Sequence, residues 1–391
     1  MIKYLTAGES HGPELTGIIE GIPAGFEIRK EKIDEILTRR QIKTGSGGRM
    51  NVERDQVSIT AGIVNNLTTG GPIAITIKNR DWENWKGKDI DPYLVPRPGH
   101  ADFAGTVKYN HSDIRHVLER ASARETAMRT ALGSICLLML LDLNIDILGY
   151  VASIGSKTSG DIDFSDFGKL RDSQKNSSTM CPNKESDNEF AKEIKKARKK
   201  KDTLGGSISV IVKGLPVGLG SYVHYDRKID GRIAASFMSV QSVKGVSIGN
   251  GIEAHKAFGT EFHDEILLDN KAIQRNTNNS GGIEGGMTTG EDLVATAYLK
   301  PISTTLTPLK SVNLKTKEQV ETVYERSDTC SVPRAVPIFE TIIAIEVLQC
   351  LLDKTGGDNK KEISIRKEKL PGKFIDDFDM GSDKWTMGYE L

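Results

Sequence analysis

The chain has 391 residues, of which 37% are hydrophobic and 27% charged, and its formal net charge is zero. These proportions are typical of a globular protein with ample core, and the length would allow two or three domains. Without a net charge, the composition does not favour binding to nucleic acid or to an anionic membrane, so any anion site must be built locally.

The N-terminal residues lack the charged and apolar regions of a signal peptide, and the apolar run ICLLMLL at 135–141 is too short to span a bilayer. We therefore expect a cytoplasmic protein. The four cysteines show neither a C-x-x-C pair nor another metal-ligand spacing, and the histidines form no H-E-x-x-H motif. We accordingly expect no disulfide and no metal site.

The pentapeptide GESHG at 8–12 matches G-x-S-x-G, the pattern of a hydrolase nucleophile elbow. An elbow needs a strand before the serine and a helix after it, but Pro13 and LTGIIEGI follow, which predict a second strand. Two interpretations remain open. The segment is either a turn whose side chains satisfy backbone groups, or a site in which His11 transfers a proton near neutral pH.

Two distant parts of the chain share one pattern. LTGIIEGIPAGFEI predicts a strand that leads into the helix KEKIDEILTRR, and SISVIVKGLPVGL leads towards the helix IDGRIAASFMSV. Both strands end in a Gly-x-Pro-x-Gly turn, at 21–25 and 214–218. The pattern predicts a duplicated α+β half, with chance similarity between Gly-Pro turns as the alternative.

A helix is predicted in ERASARETAMRTALGSICLLML, where apolar residues recur every three or four positions and indicate one buried face: Met128, Leu132, Ile135 and Met139. Ser122 and Glu125 form an S-x-x-E capping box that would begin this helix.

The helix N-terminus and two arginines predict an anion site. The N–H groups of the first turn would face the same region as Arg120 and Arg124, which repel each other unless a phosphate or carboxylate lies between them. The alternative is that both arginines pair with Glu119 and Glu125.

Two further segments carry candidate site residues. PRPGHAD holds His100 in a loop, where it is either functional or a structural histidine. In ERSDTCSVPRAVPIFE, Arg326 and Asp328 are two residues apart in an extended stretch, so both could face one pocket, and a surface ion pair is the alternative. The glycines and hydroxyls near Lys300 match neither G-x-G-x-x-G nor a P-loop, so a Rossmann or P-loop assignment fails.

Seven segments, from residue 8 to about 340, together resemble the chorismate synthase family in order and spacing: GESHG, RPGHAD, ERASARETAMR, SVQSVKGV, GGIEGGMTTG, KPISTTL and RSDTCSVPRAVPIFE. The resemblance implies a lyase of the shikimate pathway. It would convert 5-enolpyruvylshikimate 3-phosphate into chorismate by 1,4-elimination of phosphate, with reduced FMN required but no net redox change. It also implies an α+β fold, a layered sheet–helix sandwich with an internal pseudo-two-fold, and a homotetramer.

The resemblance also implies roles for individual residues. His11 would protonate the leaving phosphate, His100 would interact with the charge on reduced FMN, and Asp328 would work with flavin N5 in removing the ring proton. The substrate would be bound by Ser10, Arg40, Arg49, Ser122, Arg124 and Arg326. FMN would be bound by Arg120, Ala121, Ser122, Gln241, Ser242, Gly286, Lys300, Pro301, Ile302, Ser303, Thr304 and Arg326.

Because these FMN contacts come from both halves, we expect residues 1–353 to form one domain. The polar segment from about 156 to 203, which contains KKARKKK, is expected to be a peripheral insertion with a solvated charged face, and 354–391 a polar tail. The rival functions are a serine hydrolase acting through Ser10 and a non-catalytic protein that binds flavin or anions.

One position departs from the family pattern. Ser46 stands where the family commonly has an arginine associated with anionic ligands and NADPH, and Lys43 offers a charge without the guanidinium's fork geometry. No flavin-reductase domain or nucleotide fingerprint is visible. We therefore expect an external reductant for the flavin, with NADPH acting only as a reductant if it binds.

Overall fold

The computed structural model describes residues 1–41, 44, 55–323, 327–381 and 388. Its first half contains, in order, β1 (Lys3–Ala7), β2 (Glu14–Glu20), α1 (Lys30–Arg39), β3 (Val57–Ala61), β4 (Ile63–Val64), β5 (Leu67–Thr68), β6 (Ile73–Lys78), α2 (Asp102–Tyr109), α3 (Arg115–Ala121) and α4 (Thr126–Asp142).

The second half continues with β7 (Asp146–Ile154), β8 (Lys157–Thr158), α5 (Phe167–Asn176), α6 (Lys184–Lys199), β9 (Gly206–Lys213), α7 (Ile229–Met238), β10 (Val243–Ile248), α8 (Gly251–Ala254), α9 (Gly259–Phe262), β11 (Ile266–Asp269), β12 (Ala272–Arg275), β13 (Ile283–Glu284), β14 (Met287–Thr288), β15 (Leu293–Leu299), β16 (Lys310–Asn313), β17 (Glu318–Glu321), α10 (Val332–Thr355) and α11 (Lys360–Glu368). Short 3₁₀ turns lie at Arg80–Asn84, Ala123–Glu125, Tyr225–Arg227 and Ile375–Asp377.

Two antiparallel sheets carry the fold. The first has the strand order β1-β2-β6-β3 and the second the order β10-β15-β9-β7-β8. Removing the short strand β8 leaves two sheets of matching order, because β1, β2, β6 and β3 correspond to β7, β9, β15 and β10. The helices follow the same correspondence: α1 with α7, and α4 with α10. The predicted α+β fold with a duplicated half is confirmed.

Equivalent hydrogen bonds support this duplication. Thr68 Oγ1 donates to the carbonyl of Pro23, and Thr288 Oγ1 donates to the carbonyl of Pro216, both at 2.7 Å. Each pair joins the Gly-x-Pro-x-Gly turn after one strand to a short hairpin strand, β5 or β14. The two turns therefore occupy equivalent positions in the halves.

Helix α4 packs against the first sheet on one side and α10 on another. Gly17 of β2 leaves room for Met128, since an added Cβ would lie 2.6 Å from its sulfur. Gly133 similarly brings α4 against α10, where an added Cβ would lie 2.4 Å from the carbonyl oxygen of Thr341. The prediction of one buried face was wrong, because the helix is buried on every side from Thr126 to Cys136.

Helix α10 is long and apolar enough to cross a membrane, but 89% of its most apolar window is buried inside the protein. It is the core helix of the second half. The extended conformation predicted for SVPRAVPIFE is wrong from Val332 onward. Pro333 lies in the first turn, where its missing N–H is not required, and Pro337 is accommodated within the helix.

The polar segment 156–203 is not peripheral, contrary to expectation. Phe190 and Ile194 of α6 belong to the main core, while Phe167 and Leu170 of α5 form a second cluster on the sheet. The lysine-rich run does face solvent, as predicted. The tail also packs in part, since Ile363 of α11 is fully buried.

Candidate active site

The GESHG turn joins β1 to β2 and is attached to α3 through Glu119. The backbone amide of Ser10 donates to the carbonyl of Glu119 at 3.1 Å. The backbone amide of His11 donates to Glu119 Oε2 at 2.7 Å, and Glu119 Oε1 lies 2.7 Å from His11 Nδ1. No helix follows Ser10 in this described region, so the nucleophile-elbow geometry is not formed.

Glu119 is ionised at neutral pH. Burial alone would raise its pKa, but the hydrogen bonds from the ring and backbone of His11 hold the pKa of Glu119 below its usual value. Because an ionised carboxylate only accepts hydrogen bonds, His11 Nδ1 must carry a proton. Proton transfer to a ligand would therefore use Nε2.

The indole ring of Trp85 packs against His11 at an interplanar angle of 41°. The ring centroids of His11 and Trp85 are 4.3 Å apart. Trp85 is held by its Nε1, which donates to Asp81 Oδ2 at 3.2 Å, and the Arg115 guanidinium lies 5.8 Å from its ring centroid. The contacts of His11 with Trp85 and Glu119 were not predicted from the sequence, because they span long sequence separations and leave no local pattern.

Arg40 and Arg124 share the buried carboxylate of Asp55. Arg124 Nη1 lies 2.7 and 2.8 Å from the two Asp55 oxygens, and Arg40 Nη1 lies 3.6 Å from Oδ2. Both guanidinium groups thus face the same carboxylate, and Glu125 adds a second negative charge near Arg40. Arg40 Nε is also buried without a hydrogen-bond partner. The cluster is therefore suited to an anionic ligand.

Burial lowers the pKa of Arg40 to about 9, and the nearby charges of Arg334 and Arg124 act in the same direction while Asp55 and Glu125 oppose them. Arg40 therefore stays protonated at neutral pH. Its position places the cluster close to the first turn of α10, which carries Arg334.

Arg120 and Arg124 have different partners, contrary to the predicted convergence. Arg120 is exposed and donates to the carbonyls of Thr6 at 2.8 Å and Gly8 at 3.3 Å. Arg124 is buried against Asp55. Arg124 thus pairs with Asp55, from outside its own segment, while the carboxylate of Glu119 binds His11 and that of Glu125 binds Thr6.

Ser122 is placed beside Ser10, and its Oγ donates to Ser10 Oγ at 3.1 Å. It also accepts a hydrogen bond from the Arg124 amide at 3.3 Å and begins the 3₁₀ turn Ala123–Glu125. The predicted capping box is wrong, because α4 begins only at Thr126 and the Glu125 carboxylate accepts from Thr6 Oγ1 at 2.8 Å.

His100 belongs to a second histidine–carboxylate group. Its Nδ1 contacts Asp102 Oδ1, and Arg97 binds the same carboxylate with Nε at 2.8 Å and Nη2 at 3.0 Å. Asp102 is fully buried. Burial would raise its pKa, but the hydrogen bonds from His100 and Arg97 keep the pKa of Asp102 well below its usual range.

The loop that follows β15 connects His100 with the segment of Asp328. Lys300 Nζ donates to the carbonyl of Gly99 at 2.6 Å, and Arg97 Nη1 donates to Thr304 Oγ1 at 3.4 Å. The carbonyl of Thr304 accepts from Ser327 Oγ at 3.0 Å. Ser327 directly precedes Asp328, so predicted residues from distant parts of the chain meet here.

Asp328 forms an ion pair with Arg334, and both side chains are largely buried. The start of α10 at Val332 turns Arg334 back over Asp328. The predicted neighbour Arg326 lies outside the described residues, as do Arg49, Lys43 and Ser46.

We call the connected series of polar residues the polar belt. It runs through His11, Glu119, Ser10, Ser122, Arg124, Asp55, Arg40, Arg334, Asp328, Ser327, Thr304, Arg97, Asp102 and His100.

Three residues that were predicted to bind the flavin, Gln241, Ser242 and Gly286, lie outside the polar belt. Gln241 Nε2 donates to Glu125 Oε2 at 3.5 Å, and the carbonyl of Ser242 accepts from the Lys300 amide at 2.9 Å. Gly286 lies in the β13–β14 hairpin turn, pressed against Lys228. Among the described contacts, none joins Gly286 to the other predicted residues.

Two surface cavities, of about 580 and 520 Å³, lie elsewhere and are lined by none of the predicted site residues. Within the described part of the chain, no group of three His, Cys, Asp or Glu side chains could hold a metal ion. The four cysteines are free and buried.

Comparison with known proteins gives one consistent result. The model of the chorismate synthase family matches residues 2–352. Chorismate synthase of Syntrophotalea carbinolica is 45% identical over 372 residues, which cover 93% of this chain and 96% of that protein. Chorismate synthase of Desulforamulus reducens is 46% identical over 376 residues, covering 94% and 97%. A crystal structure of chorismate synthase superposes with a TM-score of 0.76 at 38% identity, covering 94% of this chain and 96% of that one.

Proposed function

Because the chain belongs to the chorismate synthase family, we propose that the polar belt is its active site. The enzyme is a lyase of the shikimate pathway that converts 5-enolpyruvylshikimate 3-phosphate into chorismate by 1,4-elimination of phosphate. The observation that carries the proposed location is the buried Nε of Arg40, which has no hydrogen-bond partner and belongs to a cluster of two guanidinium groups around Asp55, close to Ser10 and Ser122.

The arginine cluster would bind the anionic groups of the substrate, which carries a phosphate and two carboxylates. Guanidinium groups recognise such anions through paired hydrogen bonds, and burial strengthens the attraction. Ser10 and Ser122 would add hydroxyl contacts. Arg49 and Arg326 belong to the same proposed set on family resemblance alone.

His11 would act as the general acid. As the C–O bond breaks, its electrons pass to the phosphate oxygen, and a proton from His11 Nε2 neutralises the charge that develops there. Asp328 would accept the ring proton on its carboxylate. The Arg334 guanidinium holds that carboxylate through Oδ2 and thereby fixes its orientation.

The residues around Gln241 fit the reduced FMN that the family requires. Gln241 Oε1 is buried without a hydrogen-bond partner, which suits a donor on a ligand. Burial and the nearby charge of Lys244 lower the pKa of Lys300, so two cations stand close together where an anionic group would relieve their repulsion.

The FMN contacts would come from both halves of the chain: Arg120, Ala121, Ser122, Gln241, Ser242, Gly286, Lys300 to Thr304, and Arg326. Bound reduced FMN would supply electrons to the reacting substrate and recover them, since the reaction has no net redox change. His100, oriented by Asp102, would contact the flavin. An external system would reduce the flavin, with NADPH only as a reductant.

We further propose a cytoplasmic homotetramer, and one apolar pair supports a subunit contact. Leu5 and Ile18 are cross-strand partners on the first sheet and are 70% and 44% exposed. Their equivalents on the second sheet, Leu148 and Ile211, are also cross-strand partners but are only 0% and 2% exposed, because α5 covers them. A second copy of the chain would cover Leu5 and Ile18.

The direct test of the proposed function is anaerobic turnover. The purified chain, 5-enolpyruvylshikimate 3-phosphate and dithionite-reduced FMN are mixed, and chorismate absorbance and released phosphate are followed together. We expect equal amounts of both products. Binding of FMN by folded protein without phosphate release would instead indicate a non-catalytic flavin-binding protein.

A further inference from the structure

We propose that Glu119 is a positioning residue that sets the orientation of the His11 ring and the nitrogen that bears its fixed proton. This inference rests on the proposed role of His11 as general acid. It adds to the reaction a residue that does not itself contact the substrate.

The geometry uses both oxygens of one carboxylate. Oε1 lies 2.7 Å from His11 Nδ1, and Oε2 accepts from the His11 backbone amide at 2.7 Å. The main chain and the ring of His11 are therefore held by the same group. The carbonyl of Glu119 also accepts from the Ser10 amide at 3.1 Å, so α3 fixes two consecutive residues of the turn. Sites supported by a rigid helix keep their geometry better than sites supported by loops alone.

The contact with Glu119 also determines which ring nitrogen of His11 can give up a proton. With Nδ1–H donated to a carboxylate, the proton that moves during catalysis is the one on Nε2. After the transfer, the ring is left as the neutral form that bears its proton on Nδ1. Trp85 packs against the ring and restricts its rotation further.

A surface pair in the same chain provides a matched control. His224 Nδ1 lies 3.0 Å from Asp226 Oδ1, but both side chains are more than half exposed. The carboxylate–imidazole contact is thus similar to that between Glu119 and His11, but it is exposed to solvent. Neither residue belongs to the polar belt.

The test is a double-mutant cycle on chorismate formation, with reduced FMN and substrate saturating. Glu119→Gln keeps the side-chain volume and removes the charge. We expect kcat to fall by about 10-fold or more, the loss seen for carboxylates that orient metal-ligating or catalytic histidines, while KM changes little. In the His11→Ala background, Glu119→Gln should change kcat by less than about threefold, because the group it acts through is gone. Asp226→Asn should leave kcat unchanged.

A second variant distinguishes the loss of the positioning role from misfolding. Glu119→Asp keeps the charge on a shorter side chain, and we expect it to recover part of the kcat lost in Glu119→Gln, with circular dichroism confirming the fold of each protein. If Glu119→Gln abolishes turnover and lowers kcat just as strongly in the His11→Ala background, Glu119 does not act through His11. That result would overturn the positioning role of Glu119 but not the acid role of His11. Normal kcat in His11→Ala would remove the acid role from His11 and the positioning role from Glu119 together, while chorismate formation by the unmodified chain would still support the proposed function.

Discussion

Arg124 donates from Nη1 to both carboxylate oxygens of Asp55, at 2.7 and 2.8 Å. This buried ion pair joins the segment before α4 to Asp55, which lies two residues before the start of β3. Arg40 also forms an ion pair with this carboxylate. Asp55 therefore holds together two cations that would otherwise repel each other. The carboxylate thereby keeps two arginines from distant segments together in the protein interior.

Asp55→Asn keeps the shape of the side chain but removes its charge, and it should therefore destabilise the fold. Removing one partner of a buried ion pair leaves uncompensated charge, and we expect the free energy of unfolding to fall by about 3–5 kcal/mol. Urea denaturation measures this change. Glu35→Gln, which removes an exposed pair with Lys32, is the control and should change stability by less than about 1 kcal/mol. Equal effects of the two substitutions would show that Asp55 does not balance the cluster.

Asp328→Asn should affect turnover more than binding. The amide keeps the shape of the carboxylate but cannot accept the ring proton, so we expect kcat to fall by on the order of 10² or more. FMN binding, followed by flavin fluorescence, and substrate binding should persist. Near-normal chorismate formation by this variant would limit Asp328 to pairing with Arg334.

Asp102 should make the stability of the protein depend on pH in the acid range. Its folded-state pKa is depressed, so the unfolded state binds the proton more readily, and the stabilisation is present above the usual aspartate pKa and is lost as the pH falls through the folded-state value. We expect the stability difference between the unmodified chain and Asp102→Asn to shrink from pH 6 towards acid pH, with the loss beginning below about pH 5.

Unfolding free energies measured across this pH range test the prediction. Asp172→Asn removes an exposed carboxylate that pairs only with Lys175 in the described contacts, and it is the control. A stability difference for Asp102→Asn that is independent of pH would mean that the carboxylate acts through packing and not through its charge.

Leu5→Glu should weaken the proposed assembly. A charge placed in an apolar subunit contact is desolvated, and we expect association to weaken by about tenfold or more. Light scattering coupled to size exclusion measures the mass. Ile365→Glu on α11, another exposed apolar position, is the comparison. Unchanged mass for Leu5→Glu over a dilution series would remove this face as a subunit contact.

The duplicated fold could be predicted because its signal is local: two strands that end in the same Gly-x-Pro-x-Gly turn. The helical start of α10 could not, since the prolines of SVPRAVPIFE also suit extended chain, and only packing against the sheets and α4 makes the helical conformation favourable. Similarly, the polar composition of 156–203 concealed the few apolar residues, Phe190 among them, that bury in the core.

For the site, residue types and motif order gave a set of candidate side chains, but they could not predict the partners of those side chains. Glu119 lies 108 residues from His11, and Asp55 lies 69 residues from Arg124. Such contacts are created by the fold and have no periodic signature in the sequence. His100 and Asp102 are only two residues apart in the PGHAD segment, so their contact could have been predicted. The motif nevertheless pointed to the histidine and not to the carboxylate.

The most direct test of the central claim, that the polar belt performs the elimination, is the kcat of His11→Ala at saturating substrate and reduced FMN. Leaving-group charge is greatest in the transition state, so we expect kcat to fall by about 10²–10⁴ with little change in substrate binding. The spectrum of bound reduced FMN should be unaffected in this variant and altered in His100→Ala. A His11→Ala enzyme that forms chorismate at the normal rate would contradict the account.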